Sequence, residues 1–347
     1  MPDLRSRMVD LGAAEDDAEA MFERGWTDGL PVVPPTPERV ERMLTGTTRD
    51  PAEVVAIVPP NLVECTVEKV AINAVLAGCR PEYLPVVCAA LEAACTDAFN
   101  MHGLLATTWF SGPVVIVNGP ITRATGMNSG VNALGQGNRA NATIGRALQL
   151  VVRNVGGGRP GEVDRATLGQ PGKYTFCFAE NEAESPWEPL HVTRGLRPEQ
   201  SAVTLFAGEA PRGLADQLSR QAPQLANTFA ACLRTVWHPK AVMAFDTVVV
   251  VAPEHARVFR GAGWSKARLV DELTARLQIP GAELVRGAGG IEEGLPAAFA
   301  DTTVPKFRDG GLHVVHAGGG AGLFSAIIGG WASGALGSDP VTLPINP

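Results

Sequence analysis

Two short runs limit what this chain can fold into more than anything else in it. PVVIVN at 113–118 and TVVVVAP at 247–253 are nearly unbroken series of β-branched residues, without the polar alternation that gives one face of a strand to water. Runs of this kind suit strands covered on both faces. Around them lie segments with apolar residues at helical spacing, at 36–44, 67–77, 81–95 and 142–152. The alternation of strand and helix predicts an α/β fold: two intimately packed halves with partly parallel sheets and a polar central cleft. In such folds ligands sit at the carboxyl ends of strands.

Further strands are expected at 53–59, 174–178, 201–208 and 312–316, and helices over 1–25, 214–237, 254–263, 264–277 and, after the glycine cluster, through LFSAIIGGW at 323–331. A division near residue 195 separates an N-terminal half, 1–195, from a C-terminal half, 196–347, and no internal repeat is evident. With 39 glycines and 27 prolines but no period, the chain is expected to make many tight turns within a folded body.

Charge and composition narrow the partners. A formal charge of −7 and the lack of a Lys/Arg run interleaved with aromatics argue against nucleic acid. No apolar stretch reaches membrane-spanning length and the charged N-terminal stretch has no signal-like core, so a cytoplasmic protein without membrane contact is expected. The six cysteines (65, 79, 88, 95, 177 and 232) have neither CxxC nor zinc-knuckle spacing, and most are expected to be buried apolar residues.

Three stretches carry candidate chemistry. NSGVNALGQGNRANATIGRA, 128–147, feeds an asparagine- and glycine-rich loop into a helix start, where free backbone N–H groups and the helix dipole favour an anion. Asn128, Asn138 and Asn141 supply amides there, and Arg139 and Arg146 supply charge for a carboxylate or phosphate. The plainer reading is a loop that satisfies its own hydrogen bonds. GQPGKYTFCFAENEAESPWEPLH, 169–191, alternates so that Cys177 shares a strand face with Thr175, and Phe176 and Phe178 share the other. Cys177 is a candidate nucleophile with His191, Glu180, Glu182 or Lys173 as its base or cation. Alternatively Glu180, Glu182, Glu188 and His191 bind a divalent metal. Finally, LHVVHAGGGAG, 312–322, breaks a strand into glycines and makes Gly319 and Gly320 a second backbone cradle or a tight turn. His102 is a lesser candidate, and Asp28, before Gly29, suits an Asx-turn.

GWTDGLPVVPPT (25–36), TVEKVAINAVLAGCRPEYLPVV (66–87), NRANATIGRA (138–147) and GKYTFCFAENEAESPWEPLHV (172–192) together resemble a family of bacterial proteins associated with a small module bearing a UGSC or CGSC motif, U being selenocysteine. The resemblance covers most of the chain and implies redox or sulfur chemistry. This chain has no CGSC, so a thiol or selenol group would come from a separate redox partner protein.

Three functions follow as expectations. The first is an enzyme acting on a small anionic molecule through a Cys177/Glu180/His191 site. The second is a metal-dependent hydrolase or lyase, and the third a noncatalytic component that binds a ligand or a redox partner. Cofactor identity does not follow from these residues, and apolar helix faces favour homo-oligomerisation.

Overall fold

The computed structural model describes residues 4–12 and 15–346. It is an α/β protein with a mixed sheet. Its strands are β1 (Val54–Val58), β2 (Val63–Thr66), β3 (Gly112–Asn118), β4 (Cys177–Ala179), β5 (Ala202–Gly208), β6 (Arg212–Ala215), β7 (Phe245–Val251), β8 (Gln278–Pro280), β9 (Thr303–Pro305), β10 (Leu312–His316), β11 (Phe324–Ala332) and β12 (Val341–Pro344). The helices are α1 (Asp17–Glu23), α2 (Pro37–Leu44), α3 (Val67–Ala77), α4 (Leu84–Ala94), α5 (Met101–Ala106), α6 (Ile121–Ala124), α7 (Arg139–Asn154), α8 (Leu190–Thr193), α9 (Ala222–Leu233), α10 (Pro253–Gly261), α11 (Lys266–Arg276) and α12 (Gly281–Leu284).

Local chemistry explains where the principal helices begin. Asp16, Thr66, Asn100, Asn138 and Ser265 each accept a backbone N–H from the first turn that follows, which satisfies donors that have no partner inside the helix. Proline opens α2 and α10, where its missing N–H is not needed. Among the described residues no helix is long and apolar enough to cross a membrane.

The strands of the main sheet fall into two equivalent sets, which the sequence does not advertise. β4 lies parallel to β3, and β5 lies antiparallel to it on the other side. Likewise β10 is parallel to β7, and β11 antiparallel. The fourth strand of each set pairs away from home: β6 joins β11, while β12 joins β5. The sets meet where Gly208 pairs with Gly330. A helix precedes each set (α4 or α9) and another precedes its parallel partner strand (α7 or α11), so the repeat is one of topology. The change from one set to the next falls between β6 and α9, and the exchanged strands tie the two together.

Alternation within the strands then builds three cores. Val115, Val117, Cys177, Val203 and Leu205 face α3, α4 and α7, and Val249, Val251, Val314 and Ile327 face α9, α10 and α11. Between the two sets lies a third core of Val114, Ile116, Phe176, Phe178, Phe206, Val248, Val250, Val315 and Ile328. This is why both β-branched runs place apolar residues on successive positions, Val114–Val117 and Val248–Val251: each face is covered, by helices outside and by the other half-sheet inside. The edges draw together as well, since Asn181 N–H, just past β4, donates to the carbonyl of His316 at the end of β10 (2.7 Å).

Several expected elements take another form. LFSAIIGGW is strand β11, not a helix; a short apolar run has no period of its own, and here pairing with β7 on one side and β6 on the other decides it. The helix expected over 214–237 is confined to α9, because Leu214 and Ala215 belong to β6. Of the helix expected over 1–25, residues 17–23 form α1, while residues 1–3 and 13–14 lie outside the described residues. Arg5 and Ser6 instead donate backbone N–H groups to the Glu68 carboxylate.

The crossing tolerates no side chain. A Cβ on Gly330 would stand 2.6 Å from the carbonyl oxygen of Asp246 and 3.0 Å from the Phe206 ring, and one on Gly208 would stand 2.8 Å from Ile328. Gly330→Val is expected to destabilise the fold by about 2–4 kcal/mol, read as a lowered urea midpoint. A midpoint within experimental error of the parent would mean that the strands do not cross this closely.

Candidate functional site

The carboxyl ends of β3, β4 and β10 and the first turn of α11 bring polar side chains together at the seam between the halves. Glu180 follows β4 directly and is 2% exposed. Its carboxylate accepts the Leu190 N–H (2.7 Å), the Asn118 amide (2.8 Å) and the His316 N–H (3.3 Å). Asn118, the last residue of β3, uses its second amide proton on Glu182 (2.9 Å), which also accepts the Gly119 N–H (2.6 Å). Ser265 caps α11 and places Lys266 at its first position, with the ammonium 3.9 Å from Glu180. Trp187 donates to the Trp264 carbonyl (3.0 Å) and fastens the intervening segment over the site.

Burial dominates the electrostatics. Desolvation pushes the Glu180 carboxyl up, against Lys266 and the three donors that favour its charge. Desolvation pushes Lys266 down, against Glu180 and Glu188. His316 is also pushed down by burial and by Lys266, against the Val251 carbonyl and Glu184. Each group is thus moved toward its neutral form. The His316 Nδ1 lies 2.9 Å from the Val251 carbonyl, a contact only an Nδ1–H can make. In the neutral ring Nε2 therefore carries the lone pair. Among the described residues, Lys266 Nζ, His316 Nε2 and Asn118 Oδ1 are buried without a hydrogen-bond partner.

The asparagine-rich loop bonds chiefly to itself. Asn138 caps the Asn141 N–H, the Asn141 amide holds the Asn128 backbone at both its N–H and its carbonyl, and Asn128 accepts the Gly130 N–H. The loop rests on the glycine turn, with Gly318 N–H on the Ser129 carbonyl and Gly319 so close to Val131 that a Cβ would lie 2.9 Å from its methyl; Gly320 is exposed. Arg139 donates to the Gly78 carbonyl (2.9 Å). Arg146 forms a two-point pair with Asp28 (2.8 Å each) and reaches the Leu30 and Pro31 carbonyls. The expected anion cradle is thus replaced by a brace, in which both arginines anchor neighbouring chain.

The remaining candidates disperse. Cys177 borders a cavity of about 430 Å³ with Gly135, Gln136 and Asn141, so the structure does bring the cysteine and the loop to one space. It stands at the opposite end of β4 from Glu180, about 10 Å away at the usual strand rise. Burial pushes its thiol up, and the neighbouring Cys79 adds to this. Lys173 pairs with Asp164 (2.6 Å), which places it away from the sulfur. His191, in α8, is fully buried with neither ring nitrogen bonded among the described residues. Glu188 and His102 are exposed. Among the described residues no group of three or more His, Cys, Asp or Glu side chains is placed to hold a metal ion. No family model matches this chain, and no match is found among curated proteins or solved structures.

Lys266, His316 and Asn118 were not apparent from the sequence as site residues. Two carried a signal: Asn118 and His316 each end an apolar strand run just before glycine-bearing turns. Lys266 carried none, since a lysine in a helix's first turn is ordinarily solvated.

Two outcomes follow. Native protein treated with iodoacetamide near neutral pH is expected to leave Cys177 unmodified until it unfolds, by mass spectrometry of peptides; rapid native labelling would show a reactive thiolate. For Asp28, burial pushes the carboxyl up, but the Arg146 guanidinium and the backbone N–H donors around it, Leu30 among them, together outweigh it and hold it below the usual range. Its stabilisation is therefore present above the unfolded-state value of about 3.9 and lost as pH falls through the lower folded value. Asp28→Asn is expected to lose about 1–3 kcal/mol at neutral pH and to show a shallower acid decline in urea unfolding.

Proposed function

We propose that this chain is an enzyme performing acid–base chemistry on a small polar molecule at the seam, with His316 Nε2 as the proton acceptor and the Glu180–Lys266 pair as the proton-exchanging partner. The observation that carries the reading is the convergence, in one buried place, of an ammonium, an imidazole lone pair and an amide oxygen that have no hydrogen-bond partner among the described residues. Leaving such groups unpaired costs about 1–3 kcal/mol each, and natural folds keep few of them unless they have a use. The Lys266 side chain is 10% exposed while its Nζ is buried, and Glu184 and Glu188 of the neighbouring segment are exposed.

The roles follow from the environment. Val251 fixes the tautomer of His316 and so aims its lone pair. Burial lowers Lys266 and raises Glu180, which favours passage of a proton from the ammonium to the carboxylate. Asn118 holds Glu180 and Glu182 together through its two amide protons, which keeps the carboxylates from separating. Among the described residues the anionic substrate expected from the sequence finds no second cation paired with Glu180 at this seam. The third expectation, a noncatalytic component, assigns no role to the lowered lysine and histidine.

Two measurements test this. Histidine ¹⁵N spectra are expected to place the His316 proton on Nδ1 and to keep the ring neutral to lower pH than an ordinary histidine. Solvent-deuterium washout from a panel of small oxo, hydroxy and amino acids, followed by proton NMR, is expected to be catalysed by the parent and slowed about 100-fold or more by Lys266→Met and by His316→Gln. Washout surviving both changes within a few-fold, or a His316 proton on Nε2, would remove the seam from consideration.

A further inference from the structure

The far end of β3 and β4 holds a second arrangement, independent of the seam chemistry. The last turns of α7, the glycine turn that follows it and residues 168–174 enclose a cavity of about 550 Å³, within the size range of small-molecule sites. Arg153 lines it from α7, and Arg159, which stands behind the cavity wall, is near enough that the two cations repel. Among the described residues neither guanidinium makes a hydrogen bond or ion pair, and the Nε of each is buried. Gln149, one turn back on α7, lines the same cavity with its Nε2 buried and unbonded.

Asp28 and the exposed Glu162 favour the Arg153 charge only from beyond hydrogen-bond range, and the carboxylates of the cavity wall are already committed. Asp28 is held at both oxygens by Arg146, and Asp164 by Lys173. An arginine stays charged at any pH the fold survives, so two adjacent cations without contact partners are a standing cost unless something supplies negative charge. At the rim, Leu168 is 81% exposed and Tyr174 46% exposed, an apolar surface that the fold itself does not use.

The geometry points to a binding site for a small organic dianion, a dicarboxylate or a phosphate ester, whose charged oxygens are held by Arg153 and Arg159. The Gln149 amide donates alongside them, and the body of the ligand rests on Leu168 and Tyr174. Guanidinium groups match carboxylate and phosphate oxygens two at a time, which is why the inference is of a dianion and not of a neutral ligand.

Calorimetry at low ionic strength, which limits screening, tests this with succinate, inorganic phosphate and glycerol 3-phosphate as probes. At least one is expected to bind one-to-one with a Kd below about 1 mM, weakened tenfold or more in Arg153→Met and in Arg159→Met. Without anion these variants are expected to melt at or above the parent temperature, because an unpaired cation has been removed; a structural role for the arginines predicts a lower one. Leu168→Glu, at an exposed position, sets a carboxylate at the mouth and is expected to weaken binding without unfolding the chain. The inference is overturned by the absence of saturable binding of all three probes up to about 10 mM, or by affinity unchanged in the arginine variants. Should those variants not fold, unchanged affinity in Leu168→Glu overturns it.

Discussion

Everything in this molecule depends on two backbones meeting without side chains between them. Gly208 and Gly330 pair at the point where each half-sheet passes a strand to the other. The surrounding volume is already filled by Phe206, Ile328, Val114 and the Asp246 carbonyl. Because interiors are packed like crystals, a Cβ at either position has nowhere to go. The close approach lets β6 and β12 reach across, and that exchange turns two small sheets into one continuous body with a shared inner core.

The opposite side of that body is joined by polar groups. There the ends of β4 and β10 meet through a single main-chain hydrogen bond, and Glu180 fills the gap with three accepted bonds. A carboxylate in such a place is held by geometry more than by charge, since its nearest cation stands 3.9 Å away. Desolvation wins over that attraction for both partners, and an ion pair whose members are each pushed toward neutrality is suited to passing a proton. The two joins of the structure therefore differ in kind: one is apolar and closed, the other polar and incompletely satisfied.

The asparagine-rich loop takes on a different meaning in this setting. Its amides replace secondary structure over 128–141, bonding backbone that would otherwise be unpaired. By packing on the glycine turn after β10 it reinforces the β10 side of the seam. Arg146 does comparable work at longer range, tying α7 to the N-terminal segment through Asp28. The asparagines and arginines of this loop are thus bonded within the fold, while two guanidinium groups with buried, unbonded Nε atoms lie two turns farther along the same helix, at Arg153, and beyond it at Arg159.

What the sequence determined by itself is the set of local elements and their class. The β-branched runs at 113–118 and 247–253 specify doubly covered strands, side-chain caps specify where α3, α7 and α11 begin, and alternation at 174–178 sends Phe176 and Phe178 to one face and Cys177 to the other. Glu180 and Glu182 were legible as a cluster at a strand end because they are adjacent in the chain. Tertiary structure alone decided the exchange of β6 and β12, the strand character of 324–332 and the company Glu180 keeps. Lys266 and His316 come from 86 and 136 residues away, and an apolar run has no intrinsic period that tells a strand from a helix. Pairing partners and burial, which make those choices, are properties of the assembled chain and of no single segment of it.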